Sequence, residues 1–240
     1  NGRDLSESPN VRYYLQSSSP HGANSGTGIC AQERNPLKPD PFLRALLVAL
    51  DKWVSTNMPP PDSRVPRAQD GTLVQPLPQE RAGFPYIPSV AYNGVLHTGD
   101  LFDFGARFAQ GILDKLPPVL LAKSYPALVP KTDRDGNEIA GVRMPEIAVP
   151  VATYTGWNLR AGGDGDGCDS AGMWIAFPAT EADRIAKGDP RLSIKERYAT
   201  HQAYVDSVKA TANSLRDQRF LIQEDVDRYI AAAQASNIGN

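Results

Sequence analysis

The chain has 240 residues, long enough to bury a substantial core as one large domain or two small ones. Hydrophobic residues make up 41% and charged residues 22% of it, the balance of a globular protein. The 25 basic and 27 acidic residues leave a net charge of -2, which argues against nucleic-acid binding, where a basic surplus is the rule. No apolar run reaches the ~18 residues of a membrane-spanning helix; the longest, "FLRALLVAL", is short and carries Arg44.

The first ten residues, "NGRDLSESPN", are polar and lack the apolar stretch of a signal peptide. With no initiator Met and a strand following almost at once, residue 1 is expected to be internal to a longer precursor. Residues 11–16 alternate Val11, Tyr13 and Leu15 with polar or outward-facing neighbours, the pattern of a strand. A Ser-, Gly-, Asn- and Pro-rich loop follows over 17–40 and contains His21 and Cys30. In "PDPFLRALLVALDKWV", Leu43, Leu46, Leu47, Leu50 and Val54 form one apolar helical stripe. Asp40 is the expected cap, Pro41 the first helical residue, and the prolines of "MPPPDSRVP" end the helix.

From 58 to 160 proline recurs every few residues, and short apolar runs lie between turn signals. This predicts short strands confined to edges and ends, a helix over 103–115, and a turn at "RDGNE" (134–138). The stretch "AGGDGDGCDSAG" (161–172) reads as loop. Helices are expected at "PATEADRIAKG", between a Thr180 cap and a Gly188 stop, and over 189–220. The second has a Ser193/Glu196 capping box and an apolar stripe of Tyr198, Val205, Val208, Ala212 and Leu215. A last helix is expected in "QEDVDRYIAAAQAS", with acids at its N-terminal end, where the helix dipole favours them.

A serine hydrolase needs a nucleophile, a histidine base and an acid that orients the histidine. The α/β-hydrolase nucleophile sits in a G-x-S-x-G turn, which this chain lacks: "GANSG" has its serine one place late and "GCDSAG" fails the spacing. His21 is the one histidine in a suggestive place, just after a strand. His97 and His201 read as structural or solvated, and three histidines so far apart make no zinc site. Asp4 and Glu7 precede the strand and read as loop acids, with orientation of His21 as the sharper alternative. "DRDGNE" begins like a calcium loop, but position twelve is Met144, so a hairpin turn is the better reading. "GGDGDGCD" suits a flexible loop better than a weak cation site. Tyr154, Trp157 and Asn158 in "TYTGWN" suit either a substrate pocket or a strand end packed on the core. Cys30 and Cys168 could pair or stand as two buried thiols.

The stretches "VRYYLQSSSPHGA", "CAQERNPLKPDPFLRALLVALDKWV", "TYTGWNLR" and "GDPRLSIKERY", in this order, resemble the C-terminal part of the alpha/beta hydrolase domain family of bacterial and fungal proteins. The likeness runs over nearly the whole chain. It implies the α/β class: the last core strand, the histidine loop and the C-terminal helix of a hydrolase core (1–57), a Pro/Gly-rich short-strand elaboration (58–177), and a helical segment packing on the core (178–240). It implies that His21 is the general base. On their residue types Tyr154, Trp157 and Asn158 are the substrate-contact candidates, and no metal or cofactor is expected. The nucleophile would lie in a missing upstream part or a companion chain, so this would be a serine-type carboxylic ester hydrolase only when joined to that part. An exported, secreted or periplasmic family would favour a Cys30–Cys168 disulfide. A lone C-terminal part would expose the face meant for its partner, or associate with itself. The alternative is a binding or structural module that keeps the fold without a complete triad.

Overall fold

The computed structural model describes residues 3–94, 99–162, 165–168 and 170–240. Regular structure is sparse in the first two thirds and helical in the last. The helices are α1 (Asp40–Thr56), α2 (Gln79–Ala82), α3 (Pro145–Ala148), α4 (Glu181–Lys187), α5 (Ile194–Arg197), α6 (His201–Asp217) and α7 (Gln223–Ala235). The strands are β1 (Leu73–Val74), β2 (Asp100–Asp103), β3 (Val119–Ser124), β4 (Val129–Pro130), β5 (Ala152–Tyr154) and β6 (Trp174–Ala176). They pair antiparallel as β1–β4, β2–β3 and β5–β6. No helix among the described residues is long and apolar enough to cross a membrane.

Residues 11–16 are extended, but they join their neighbours by single parallel bridges, Tyr14 to Arg64 and Gln16 to Val142. Leu15 N–H donates to Arg64 O at 2.9 Å, and Leu15 O accepts from Val142 N–H at 2.7 Å. The flanking segments hold Pro61, Pro66 and Gly141, which cut the ladder to one residue on each side. Tyr14 lies edge-on to Phe42 and Phe220, at 6.2 and 5.6 Å between ring centroids. These rings, with Val142, Met144, Ala212, Leu215 and Val226, form the main core.

Helix α1 departs from its sequence pattern. Its buried residues are Phe42, Ala45 and Ala49, while Leu43, Leu47, Leu50 and Val54 are exposed, Val54 at 82%. Small alanines let the helix approach the core closely. Of the expected stripe only Leu46 packs against the core, partly buried, and the other four residues point away, because periodicity marks an apolar face without saying what covers it. Asp40 does not cap the helix: Pro39 is the N-cap residue, no side chain bonds there, and Asp40 is the first helical residue.

Two further expectations are corrected. The helix over 103–115 is replaced by a 3-10 turn, Phe108–Gln110, in the arm between β2 and β3. Gly105 and Gly111 have φ of 102° and 79°, outside the helical region, and Asp114 folds back to accept from the Arg107 backbone N–H at 2.9 Å. The single helix over 189–220 is two. Tyr198 is extended, with its hydroxyl donating to Pro150 O at 2.8 Å, and Thr200 starts a new helix by accepting from Ala203 N–H. The Ser193/Glu196 and Thr180/Asp183 capping boxes both form. At 134–138 the chain turns through Gly136, with Asp133 accepting from the backbones of Asp135 and Asn137.

Arginine–carboxylate pairs stitch these segments together. Arg191, 2% exposed, donates to Asp189 at 2.6 and 2.9 Å, to Thr153 Oγ1 at 2.9 Å and to the carbonyls of Ile175 and Ala176. Arg197 pairs with Asp135, Arg143 with Asp133, Arg184 with Glu196, and Arg44 and Arg228 with buried Asp225. Replacing Arg191 with Ala strands buried Asp189 and removes the donor to Thr153 Oγ1 and to two part-buried carbonyls. It is expected to lower unfolding stability by about 3–5 kcal/mol, read by urea denaturation.

Glu146 is built differently. Its Oε2 is buried without a hydrogen-bond partner, and burial pushes its carboxyl above the usual range, against a hydrogen bond to Tyr229 that lowers it. Such a group costs nothing while both folded and unfolded forms hold the proton. The cost enters as pH rises past the unfolded value and is complete above the raised folded value. Glu146→Gln keeps the neutral shape at every pH. The Tm of this variant relative to the parent should therefore rise by about 2–4 °C between pH 4 and pH 7.5, the shift expected for ~1 kcal/mol in a chain of this size. Paired thermal melts measure it.

Candidate functional site

The segment after the central extended strand is held at nearly every residue. Ser17 and Ser18 are fully buried. Ser17 Oγ donates to Ala140 O at 2.6 Å. Ser18 has φ of 55°, an unusual conformation for a residue with a side chain, and its surroundings enforce it. Ser18 N–H donates to Glu138 Oε2 at 2.7 Å, Glu138 N–H donates to Ser18 Oγ at 2.9 Å, and Ser18 O accepts from Asn35 Nδ2 at 2.8 Å. A Cβ on Gly141 would stand 2.5 Å from Leu15 O, so only glycine permits that approach.

His21 comes three residues later. Its backbone N–H donates to Ser170 O at 3.3 Å. Its side chain is exposed, and no hydrogen bond joins its ring to any described residue. Ser170 lies two positions past Cys168, which is bonded to Cys30 in a disulfide with Cα atoms 5.6 Å apart. The disulfide thus ties the glycine-rich loop to the histidine loop.

Beside this loop opens a cavity of about 810 Å³. Ser19 and Ser170 line it next to His21, and Phe84, Tyr92 and Trp157 form an aromatic wall with centroids 5.4 to 5.6 Å apart. Glu138 also lines it, and burial pushes that carboxyl above the usual range. The cis Leu77–Pro78 bond and the β1–β4 pair lie on the far side, where Pro76, Val129 and Pro130 complete the wall.

Tyr154, Trp157 and Asn158 all line this cavity, yet they differ in what they offer it. The Tyr154 side chain packs with Leu37, Ile147 and Ala152, and burial raises its pKa. Asn158 is 2% exposed, and its amide donates to Gln32 O and Gly172 O at 3.0 and 3.2 Å. Trp157 is half-buried and is the member of the three with ring surface to spare. Sequence reasoning missed Phe84, Tyr92 and Glu138. Their only sequence signal was aromatic and acidic residues in a Pro-rich stretch, which nothing linked to residues 154–158.

The remaining acids and histidines lie elsewhere. Asp4 accepts from the backbones of Ala68 and Gln69 at 3.0 and 2.9 Å, and Glu7 pairs with Arg67 and Ser63; no bond links either to His21. His201 sits against Ile238 O at 2.8 Å and Gln234 O at 3.2 Å, clasping the end of the chain. His97, Asp164 and Asp169 lie outside the described residues. Among the described residues, no group of three or more His, Cys, Asp or Glu could hold a metal ion.

No curated protein matches the chain, and no solved structure does. The alpha/beta hydrolase domain family matches residues 6–231, which include the histidine loop, the disulfide and every residue of the cavity wall. The chain belongs to the alpha/beta hydrolase domain family.

Proposed function

We propose that this chain is the C-terminal part of a serine-type hydrolase that cleaves an ester or related acyl bond, with His21 as general base. The nucleophile and the orienting acid lie in an upstream part of the same precursor or in a companion chain. One observation carries the reading. The His21 backbone is fixed beside a large cavity, while its ring is exposed and bonded to no described residue. His201 is held by its ring; the His21 ring, bonded to no described residue, keeps one nitrogen for a nucleophile and the other for an orienting acid.

The chemistry follows. The serine oxygen attacks the acyl carbon as a ring nitrogen of His21 takes its proton. The C–O bond to the leaving group breaks, and His21 passes the proton to the departing alkoxide. Water then attacks the acyl-serine by the same route, and the proton returns to the serine. The 58–177 stretch supplies the cavity wall from Pro76 to Trp157 and shapes the site. The disulfide suits a secreted or periplasmic protein.

The outward leucines of α1 support the missing part. Leu43, Leu47, Leu50 and Val54 are exposed along one helix face, the kind of apolar surface that an interaction partner covers. A non-catalytic module is the second reading, favoured by the absence of a G-x-S-x-G turn and of any described acid bonded to His21.

In the complete protein, His21→Ala is expected to lower ester turnover about 10³-fold or more with folding intact; unchanged turnover removes the proposal in favour of the module. Leu47→Asp with Leu50→Asp, both exposed, should change the stability of this chain alone by no more than about 0.5 kcal/mol. The same pair should weaken its association with the upstream part at least tenfold in a pull-down titration.

A further inference from the structure

Most acids drawn into this fold are paired with arginine; Glu146 and Glu138 are not, and of these two Glu138 lines the cavity. Asp133, Asp135, Asp189, Glu196 and Asp225, all drawn into the protein, each have an arginine at hydrogen-bonding distance. Glu138 has none. Its one side-chain bond is from Ser18 N–H to Oε2. Oε1 accepts from no described residue, and it is not sealed from solvent as Glu146 Oε2 is. A carboxylate removed from water is costly without a counter-charge, and here the protein supplies none.

Among the described residues that line the cavity beside Glu138 there is no Lys, Arg or His, and a second acid, Asp166, lies exposed at its rim. It also presents Phe84, Tyr92 and Trp157. Aromatic faces attract cations through the ring quadrupole, most strongly where water is excluded. A carboxylate and an aromatic wall in one cavity, with no cation among the described lining residues, select positive charge and repel negative charge.

We infer that the cavity binds an organic cation, an ammonium-bearing group seated between Glu138 and the Phe84–Tyr92–Trp157 wall. This deepens the hydrolase reading, on which it rests for the assignment that the cation belongs to the substrate: the ester cleaved beside His21 carries an alkylammonium group, and anionic esters are rejected. Glu138 is a specificity residue. It holds the cation and takes no part in proton transfer.

The test is calorimetric titration of the chain with choline, with its uncharged carbon isostere 3,3-dimethyl-1-butanol, and with the anion 3,3-dimethylbutanoate. Choline is expected to bind at least tenfold more tightly than the isostere, and the anion more weakly than either. Glu138→Gln keeps an oxygen for Ser18 N–H while removing the charge. It should abolish the preference for choline, leave the isostere's affinity unchanged and retain the parent melting behaviour. If that variant does not fold, Trp157→Leu leaves the Ser18–Glu138 bonds in place and should cut the choline preference in the same way. Equal or tighter binding of the isostere, a preference that survives both variants, or no binding of choline overturns the inference. His21→Ala must leave choline binding unaltered. Lost turnover with retained cation binding, or the reverse, therefore tells the failure of one reading from the failure of the other.

Discussion

A chain with so little regular sheet must satisfy its buried backbone groups by other means, and three buried asparagines do much of that. A buried N–H or C=O left unpaired costs as much as a lost hydrogen bond. Asn35, Asn137 and Asn158 are all at most 2% exposed. Asn35 gives its amide to Ser18 O and Thr155 O and accepts from Leu37 N–H. Asn137 donates to Ala152 O and accepts from Tyr154 N–H, so it pairs with β5 as a neighbouring strand would. Asn158 joins residues 32 and 172 across the disulfide loop. An amide side chain carries the donor and acceptor of a peptide group, so each asparagine acts as one residue of ladder where prolines and glycines forbid a longer one.

The site depends on this arrangement. The histidine loop is irregular, yet its preceding residues are fixed from three directions: by Asn35, by Glu138 and by the Ala140–Val142 backbone. Ser18 keeps its left-handed conformation because both its backbone groups and its hydroxyl are engaged. Fixing a loop costs conformational entropy, about 1–2 kcal/mol per residue. Buried bonds at residues 17, 18 and 35 and a covalent link at Cys30–Cys168 offset that cost near His21, whose ring is bonded to no described residue.

Much of this was legible in residue patterns, and the rest failed for identifiable reasons. Helix α4 followed from its Thr180 and Gly188 punctuation, and α7 from its acidic first turn, because capping and end charges are local. The break at Tyr198 was hidden by the Ser193 capping box: a four-residue helix and a longer one start alike. The helix over 103–115 failed because its glycines adopt positive φ, which apolar spacing does not report. The face of α1 that packs is centred on Phe42, Ala45 and Ala49 with Leu46 partly buried beside them, so most of the expected stripe lies outside it. In the site, Trp157 and Asn158 were visible from their aromatic and polar company. Glu138 was not, since its meaning lies in having no arginine, and that is a property of three-dimensional neighbours.

The exposure of His21 and the exposure of the α1 leucines bear on each other. A histidine in open water has a proton acceptor's chemistry but none of the advantages of a site: its electrostatic partners are screened and a serine would have to be held near it by chance. A leucine face in open water is a cost to the same chain. On the proposed reading one event removes both. An upstream part that covers the leucines brings its own surface to His21 and to the neighbouring cavity residues Ser19 and Ser170, and excludes water from the mouth of the cavity as it does so. The apolar face then supplies the binding energy that orders the catalytic groups, and the cavity behind them, with its unpaired Glu138 and aromatic wall, becomes the enclosed end of a pocket whose open end holds the reacting bond.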